Sequence, residues 1–280
     1  MQLRAMDDET ALFDVEVQTL LEGIYRRYQH DFRDYAVASL RRRMHQAIAY
    51  WDCGNMGALQ HKLLHDPAAF QKSLRFFTVQ VSEMFRDPPY FQALRDEVLP
   101  ILATYPSLKV WVAGCATGEE AWSLAVMLHE VGLLERTIVY ATDINPAALQ
   151  AAEAGVFPLD SMAQYSRNYH AAGGKRSLSD YYTAGYKGAL FNRQLKKQMV
   201  FAEHSLSTDS VFSEVHLVSC RNVLIYFNRN LQDRAVGLFH EALVHRGFLG
   251  LGSKETLQFG AHAHAFEESV PRQRIYRKQA

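Results

Sequence analysis

The chain has 280 residues, 48% of them hydrophobic, which is enough for one sizeable core and a smaller companion domain. Its 30 Lys and Arg balance 30 Asp and Glu, so net charge favours neither nucleic acid nor a membrane surface as a partner. The three cysteines are far apart and lack CxxC spacing, which argues against a disulfide framework. The opening segment is too acidic for a signal peptide, and the chain has no stretch of ~18 apolar residues that could span a membrane. We therefore expect a soluble, cytoplasmic protein.

Residues 11–75 show helical periodicity and no convincing strand. Two apolar stripes carry this pattern: Leu20, Leu21, Ile24, Tyr25 and Tyr28, then Leu40, Met44, Ile48 and Trp51. Asp66-Pro67 and Asp87-Pro88 resemble helix starts, with an N-cap aspartate and a proline at the first helical position. We predict a helical domain with its linker over residues 1–90, and a further helix over residues 88–102.

Strand and helix patterns alternate from residue 109 onward. The strand-like runs are "KVWVAG", "RTIVYATDI", "KQMVFAEH", "VHLVSC", "FLGLGS" and "QRIYRK", and the helical runs are "EEAWSLAVMLHEVG", "NPAALQAAEAG" and "LQDRAVGLFHEALVHRG". This alternation predicts an α/β fold with a doubly wound, mostly parallel sheet. Residues 157–198 are too long for a bare loop and predict a small inserted substructure.

The segment "AGCATGEE" follows the first strand and contains Gly114 and Gly118, then two glutamates. Glycines let the backbone pass close to a ligand, and a helix N-terminus offers unpaired amides. Glu119 and its neighbour disfavour a phosphate, and the segment has neither the GxGxxG of a dinucleotide site nor the lysine of a P-loop. Asp143 ends the next strand, where an acid can accept hydrogen bonds from a ribose. A phosphate-free, cationic nucleoside such as S-adenosylmethionine fits, although another Rossmann-type ligand such as NAD stays open.

Two further segments place polar residues near the expected ligand edge of the sheet. In "HLVSCRNVLIYF", Asn222 can hydrogen-bond a nucleoside or substrate, and Arg221 can orient a carboxylate. In "FTVQVSEMFRDPP", Gln80 and Ser82 face the same way in an extended chain and can cover a cofactor, while Arg86 reaches its carboxylate. Taken singly, these segments also fit a helix cap and an interdomain linker.

Together and in this order, the motifs resemble the bacterial chemotaxis-receptor glutamate methyltransferases, the CheR family. The resemblance covers nearly the whole chain and is carried by "GIYRRYQHDFRDYAVASLRRRM", "SEMFRDP", "AGCATGEEAWSLA", "ATDINPAAL", "CRNVLIYF" and "GFLGLGSKETL". It implies a Rossmann-like fold of the S-adenosylmethionine-dependent methyltransferase type over residues 91–280, with residues 157–198 as an inserted antiparallel β-subdomain that docks on receptors. It also implies S-adenosylmethionine as methyl donor, S-adenosylhomocysteine as product and glutamates of chemoreceptor cytoplasmic helices as acceptors.

The resemblance also implies cofactor contacts, which together with the glycine loop are Gln80, Ser82, Arg86, Gly114, Glu119, Asp143, Ser205, Leu206, Arg221 and Asn222. Three of them depart from the family pattern. Gln80 and Ser82 replace the asparagine and threonine of an N-x-T-x-x-x-R segment, and Ser205 replaces the asparagine of an Asn-Leu pair. Each replacement keeps a hydrogen-bonding group, so binding is expected while the individual contacts stay open.

A glutamate acceptor has a reference pKa of about 4.3 and is already ionised at neutral pH, so no general base is required. Catalysis is then expected from alignment and exclusion of water, with Arg221 and Tyr226 as candidates for holding the acceptor carboxylate. His262 and His264 lack further ligands nearby, so no metal site is predicted. The serine replacements leave an alternative, a docking module that binds S-adenosylmethionine without turnover.

Arg41, Arg42 and Arg43 are predicted to lie around the helix side that faces away from the Leu40–Met44 stripe. Such a basic face would steer an acidic receptor helix, although a solvated arginine cluster fits the same pattern. No aromatic residues are interleaved with these arginines, which argues against nucleic acid. We expect a monomer that docks on chemoreceptor cytoplasmic domains without membrane insertion.

Overall fold

The structure is a computed structural model that describes the backbone of residues 2–279 and the side chains of residues 10–279. The chain divides into two compact units. The first contains the residues up to Val79, together with Ser205–Asp209 and Ile225–Arg234. The second contains Gln80–His204, Ser210–Leu224 and the residues from Ala235 onward.

The first unit is helical, as its sequence predicts. Its long helices are α1 (Gln2–Tyr28), α2 (Val37–Tyr50), α3 (Met56–His65) and α4 (Pro67–Phe77). Asp66 caps α4 as expected, because its Oδ1 accepts hydrogen bonds from the amides of Ala68 (2.9 Å) and Ala69 (3.1 Å). The two apolar stripes meet in the core, where Leu20, Ile24, Leu40 and Met44 are buried.

The second unit begins at Gln80, within the segment that the sequence suggested as a linker. The reason is that Met84 and Phe85 are fully buried in the same core cluster as Tyr90. Its helices are α5 (Pro88–Ala93), α6 (Leu99–Leu102), α7 (Glu119–Glu130), α8 (Pro146–Ala154), α9 (Met162–Ala171), α10 (Arg193–Lys196) and α11 (Arg229–Ala242), which begins in the first unit. A π-helical turn, Leu94–Val98, connects α5 to α6.

The strands of the second unit are β1 (Leu108–Ala113), β2 (Thr137–Asp143), β3 (Val156–Phe157), β4 (Tyr182–Gly185), β5 (Gly188–Phe191), β6 (Met199–Glu203), β7 (Val215–Cys220), β8 (Leu243–Leu251), β9 (Phe266–Val270) and β10 (Ile275–Lys278). Seven form one sheet in the order β6-β2-β1-β7-β8-β10-β9. The five neighbouring strands β6, β2, β1, β7 and β8 are parallel to one another. Strand β10 runs antiparallel to both β8 and β9. The predicted Rossmann-like, mostly parallel sheet is confirmed.

The central strand β1 lies at the point where the strand order reverses. Val110 pairs with Val139 of β2 on one side and with Leu217 of β7 on the other. Since ligands of open α/β sheets bind beyond the carboxyl ends of such strands, the loops after β1, β2 and β7 are the expected ligand edge. A separate antiparallel sheet, ordered β3-β5-β4, confirms the small β-subdomain within the insertion.

Two local expectations were wrong. Helix α11 ends at Ala242, earlier than its pattern predicts, because Leu243 already pairs with Val215 and Lys278 Nζ binds the carbonyl oxygens of His240 (2.7 Å) and Leu243 (2.8 Å). Strand β9 was not predicted, since "FEESV" is short and mostly exposed. Over the described residues, no helix is long and apolar enough to cross a bilayer.

Candidate cofactor and active site

The loop after β1 is built from left-handed residues. Gly114 (φ 73°), Ala116 (φ 48°) and Gly118 (φ 95°) all adopt this conformation, which costs little for glycine and more for alanine. The loop is tied to the end of β2, because the amide of Gly114 donates to Thr142 O at 2.8 Å. Gly114 also lets the loop after β7 approach, since a Cβ there would lie 2.6 Å from Val223 Cγ2. Glycine at this position therefore brings two loops of the ligand edge together.

Asp143 stabilises that strained loop. Its Oδ2 accepts from the amide of Ala116 at 2.9 Å and its Oδ1 from the amide of Asn145 at 3.0 Å. Asp143 is 8% exposed and forms no ion pair with any described residue. Burial raises the pKa of Asp143, and the backbone hydrogen bonds partly oppose that rise. Each oxygen keeps a second lone pair, so acceptance from a ribose hydroxyl remains a compatible prediction.

The two glutamates that begin α7 have different environments. Glu119 is 6% exposed, accepts from the Thr117 hydroxyl at 2.7 and 2.9 Å, and has no cationic partner among the described side chains. Burial raises the pKa of Glu119. Glu120 instead accepts from Ser219 Oγ (2.6 Å) and Arg221 Nη1 (3.1 Å). Of the two glutamates, only Glu119 lacks a cationic partner among the described residues.

The structure pairs Arg221, predicted to bind a carboxylate of the cofactor or substrate, with two carboxylates of the chain itself. Its side chain is 1% exposed, and its Nη2 donates to Asp87 Oδ2 at 2.7 Å while Nη1 donates to Glu120. The guanidinium also lies 4.1 Å from the ring centroid of Tyr90. The predicted contact of Arg221 with a ligand carboxylate therefore stays a prediction, since this cation already has two anionic partners.

Asp87 also differs from its prediction as a helix cap. It has a left-handed φ of 54° and forms no capping hydrogen bond, because its carboxylate is directed to Arg221. Phe85, two residues earlier, is left-handed as well (φ 51°). Arg86 lies between them, is half-buried, and forms no ion pair or hydrogen bond with the described part of the chain. Gln80 and Ser82 in the same segment are also half-buried.

Asn222 starts the loop after β7 in a left-handed conformation (φ 59°). Its amide donates to Glu255 Oε2 at 3.0 Å, and the same oxygen accepts from the amide of Gly252 at 2.6 Å. Within the described structure its side-chain amide has no hydrogen-bond partner, so it is available to a ligand. Glu255 is 4% exposed and was missed by the sequence reasoning, although it lies in the motif "GFLGLGSKETL".

Ser205, Leu206 and Tyr226 belong to the first unit. The Ser205 hydroxyl is used locally, since it bonds Ser207 Oγ (2.9 Å) and accepts from the amide of Thr208 (3.3 Å). Leu206 is buried. The guanidinium of Arg43 lies 5.5 Å from the ring centroid of Tyr226. The roles of these three residues toward a ligand stay predictions.

The predicted exposed face of three arginines is wrong for Arg43. Arg43 is 5% exposed and donates to Phe77 O at 2.6 Å and Ser39 O at 3.0 Å. The reason is its helical position, three residues after Leu40, which turns it toward the buried side. Arg41 forms a two-bond ion pair with Asp14 (2.8 and 2.6 Å), and Arg42 is exposed.

The fold and the site define a class. Glu119 and Asp143 are buried carboxylates without a cationic partner, and Arg86 is a half-buried guanidinium without an anionic partner among the described residues. These groups complement a ligand that carries both a positive centre and a carboxylate. S-adenosylmethionine, with its sulfonium, ammonium and carboxylate groups, is such a ligand. With the sheet order given above, the molecule is a Rossmann-like, S-adenosylmethionine-dependent methyltransferase.

Comparison with known proteins gives the family. Residues 80–274 match the "CheR methyltransferase, SAM binding domain" and residues 16–78 match the "CheR methyltransferase, all-alpha domain". The chain belongs to the CheR methyltransferase family, and its cofactor is S-adenosylmethionine.

Three relatives show how far the similarity extends. "Putative methyltransferase Cher3" of Pseudomonas putida is 56% identical over 265 residues, which cover 95% of this chain and 97% of that protein. "Chemotaxis protein methyltransferase" of Listeria monocytogenes is 29% identical over 230 residues, covering 81% and 84%. "Chemotaxis protein methyltransferase 2" of Pseudomonas aeruginosa is 25% identical over 251 residues, covering 88% of each chain.

Proposed function

We propose that this protein is a cytoplasmic protein-glutamate O-methyltransferase that acts on the cytoplasmic helices of chemoreceptors. Its products would be glutamyl methyl esters and S-adenosylhomocysteine. One observation carries the proposal: relatives named as chemotaxis protein methyltransferases match this chain over more than four fifths of its length, through both domains.

The arrangement of polar groups supports the same chemistry. The cofactor supplies an electrophilic methyl group on a positively charged sulfur. Glu119 and Asp143 would offset positive charge of the ligand, Arg86 would bind its carboxylate, and Asn222 would hydrogen-bond its nucleoside. The acceptor glutamate is ionised at neutral pH, so the chain needs to align it and exclude water rather than deprotonate it. Such alignment can supply on the order of 7–11 kcal/mol in favourable cases.

The remaining assignments belong to the same proposal. Tyr226 would hold the acceptor carboxylate, and Ser205 and Leu206 would contact the cofactor, with Gln80 and Ser82 covering it. An insertion over residues 157–198 that docks on the receptor completes it. Arg42, exposed on α2, would contribute to receptor docking.

Isotope-labelled S-adenosylmethionine and a panel of receptor cytoplasmic fragments test the proposal. We expect base-labile label on fragments, located on glutamates by mass spectrometry. A fragment with its labelled glutamates changed to glutamine is the control and should take up no label. Binding of S-adenosylhomocysteine without labelling of any fragment would instead support the docking module without turnover. Absence of binding would contradict both.

A further inference from the structure

Arg86 lies between two residues whose backbone conformation is rare for any residue other than glycine. Phe85 (φ 51°) and Asp87 (φ 54°) are both left-handed, and neither is glycine. Such strain persists only where the surroundings enforce it, and it is concentrated at functional sites. The contacts of these two residues therefore indicate what enforces the conformation around Arg86.

Packing of the side chain enforces the left-handed backbone of Phe85. Its side chain is fully buried, with ring centroids 5.2 Å from Phe91 and 5.3 Å from Tyr169. Its amide donates to Ser123 Oγ of α7 at 2.9 Å. The backbone just before Arg86 is thus anchored to the core.

An ion pair enforces the left-handed backbone of Asp87. Its carboxylate accepts from Arg221 Nη2 at 2.7 Å, and Arg221 is itself bound to Glu120. Glu120 accepts from Ser219 Oγ, which lies 2.8 Å from the Tyr90 hydroxyl. A network from α7, β7 and α5 therefore holds the backbone just after Arg86.

Arg86 itself is half-buried and bonds to no described residue, so its five N–H donors are available to an anionic partner from outside the chain. We propose that Asp87, through its ion pair with Arg221, is a positioning residue that aims Arg86 at the carboxylate of the cofactor's amino-acid end. The inference rests on the proposed role of Arg86 in binding that carboxylate. If Asp87 relaxed to a common backbone conformation, the direction of the Arg86 side chain would change with it.

Calorimetry with two ligands tests this proposal in the full-length protein. S-adenosylhomocysteine has the carboxylate, whereas 5′-methylthioadenosine lacks the amino-acid end. Arg86→Gln and Asp87→Asn should each weaken S-adenosylhomocysteine binding about 10- to 100-fold and change 5′-methylthioadenosine binding less than about twofold. The double variant should lose no more than Arg86→Gln alone, because Asp87 acts through Arg86.

Two more variants separate aim from folding. Asp87→Gly accepts left-handed backbone without strain, but it lacks the carboxylate whose ion pair with Arg221 holds that conformation, so it should lose affinity as Asp87→Asn does. Asp52→Asn is the matched control, since Asp52 is also a left-handed aspartate (φ 50°) but is exposed in the helical unit. It should leave both affinities unchanged.

The outcomes distinguish the inference from its premise. If Arg86→Gln leaves the ratio of the two affinities unchanged, the role of Arg86 fails and the inference fails with it. If Arg86→Gln lowers the ratio but Asp87→Asn does not, Arg86 keeps its role and Asp87 loses the positioning role. Equal weakening of both ligands by Asp87→Asn would show a merely structural effect and overturn the proposal.

Discussion

At the scale of single residues, the site is marked by charges that the chain does not neutralise. Glu119 and Asp143 are buried acids without cationic partners among the described residues, whereas Glu120 and Asp87 both form ion pairs with Arg221. Burial disfavours an isolated carboxylate, which is why the pKa values of Glu119 and Asp143 are raised. A cationic ligand reverses that penalty.

The raised pKa of Glu119 predicts how ligand binding depends on pH. Protonation removes the negative charge, so affinity for S-adenosylhomocysteine, whose ammonium is positive, should fall as pH falls. The decline should begin above the ordinary carboxyl pKa of 4.5, because the folded-state pKa is higher. Glu119→Gln should weaken binding about 10- to 100-fold at neutral pH and flatten the acidic decline.

Calorimetry over a pH series checks this prediction. Glu97→Gln, which alters an exposed acid in the same unit, is the control and should keep the parental profile. An unchanged pH profile in Glu119→Gln would contradict the assignment. Without ligand the sign reverses: an acid with a raised folded-state pKa opposes folding when ionised, so the parental protein should gain stability relative to Glu119→Gln as pH falls toward 4.5.

The identities of several site residues were readable from local motifs, but their partners were not. The motif "GEE" could not tell Glu119 from Glu120, because the distinction depends on Arg221, which is 101 residues away from Glu120. Asp87 looked like a helix cap because its ion pair spans 134 residues of sequence. Long-range pairing of this kind leaves no local pattern, so the ion pair between Asp87 and Arg221 could be found only in the structure.

At the scale of elements, a buried polar cluster fastens the insertion to α7. Glu130 Oε2 accepts from Arg95 at 2.7 Å, and its Oε1 accepts from the hydroxyls of Tyr169 and Tyr181. The Glu130 side chain is 7% exposed. Because Tyr169 lies on α9 and Tyr181 just before β4, this one carboxylate holds two parts of the insertion.

Glu130→Ala should therefore destabilise the protein and loosen the insertion. Removing one partner of a buried ion pair leaves the other unpaired, and we expect a loss of about 3–5 kcal/mol in the free energy of unfolding. Urea denaturation measures the loss, and hydrogen exchange should show it first in residues 162–191. Glu153→Ala, which breaks an exposed pair with Lys196, should cost no more than about 1 kcal/mol. Equal losses in the two variants would contradict this assignment.

Periodicity predicted the elements more successfully than their ends. The strands β1, β2, β6, β7, β8 and β10 and the helices α7 and α8 follow clear apolar patterns. The end of α11 does not, because Lys278 and the pairing of Leu243 decide it from distant sequence. Similarly, periodicity identified α2 but not the burial of Arg43. That burial depends on a hydrogen bond to Phe77 O, and Phe77 lies on another helix, α4.

At the scale of the whole molecule, zero net charge means that any attraction to an acidic partner must be local. On α2, Arg41 is paired with Asp14 and Arg43 is buried, so Arg42 is the arginine of this run that keeps an exposed charge. Of the three arginines that the sequence predicted for docking on acidic receptor helices, we therefore expect Arg42 to contribute.

Arg42→Glu should raise the KM for a receptor cytoplasmic fragment about two- to fivefold at low salt, with the effect fading at high salt, because an exposed charge contributes through screened attraction. Affinity for S-adenosylhomocysteine should not change, since Arg42 is exposed and is not among the proposed cofactor contacts. Arg272→Glu reverses an exposed charge in the second unit and should leave KM unaltered. If both reversals raise KM equally, general charge rather than the α2 surface governs docking, and if neither does, receptor recognition does not use Arg42.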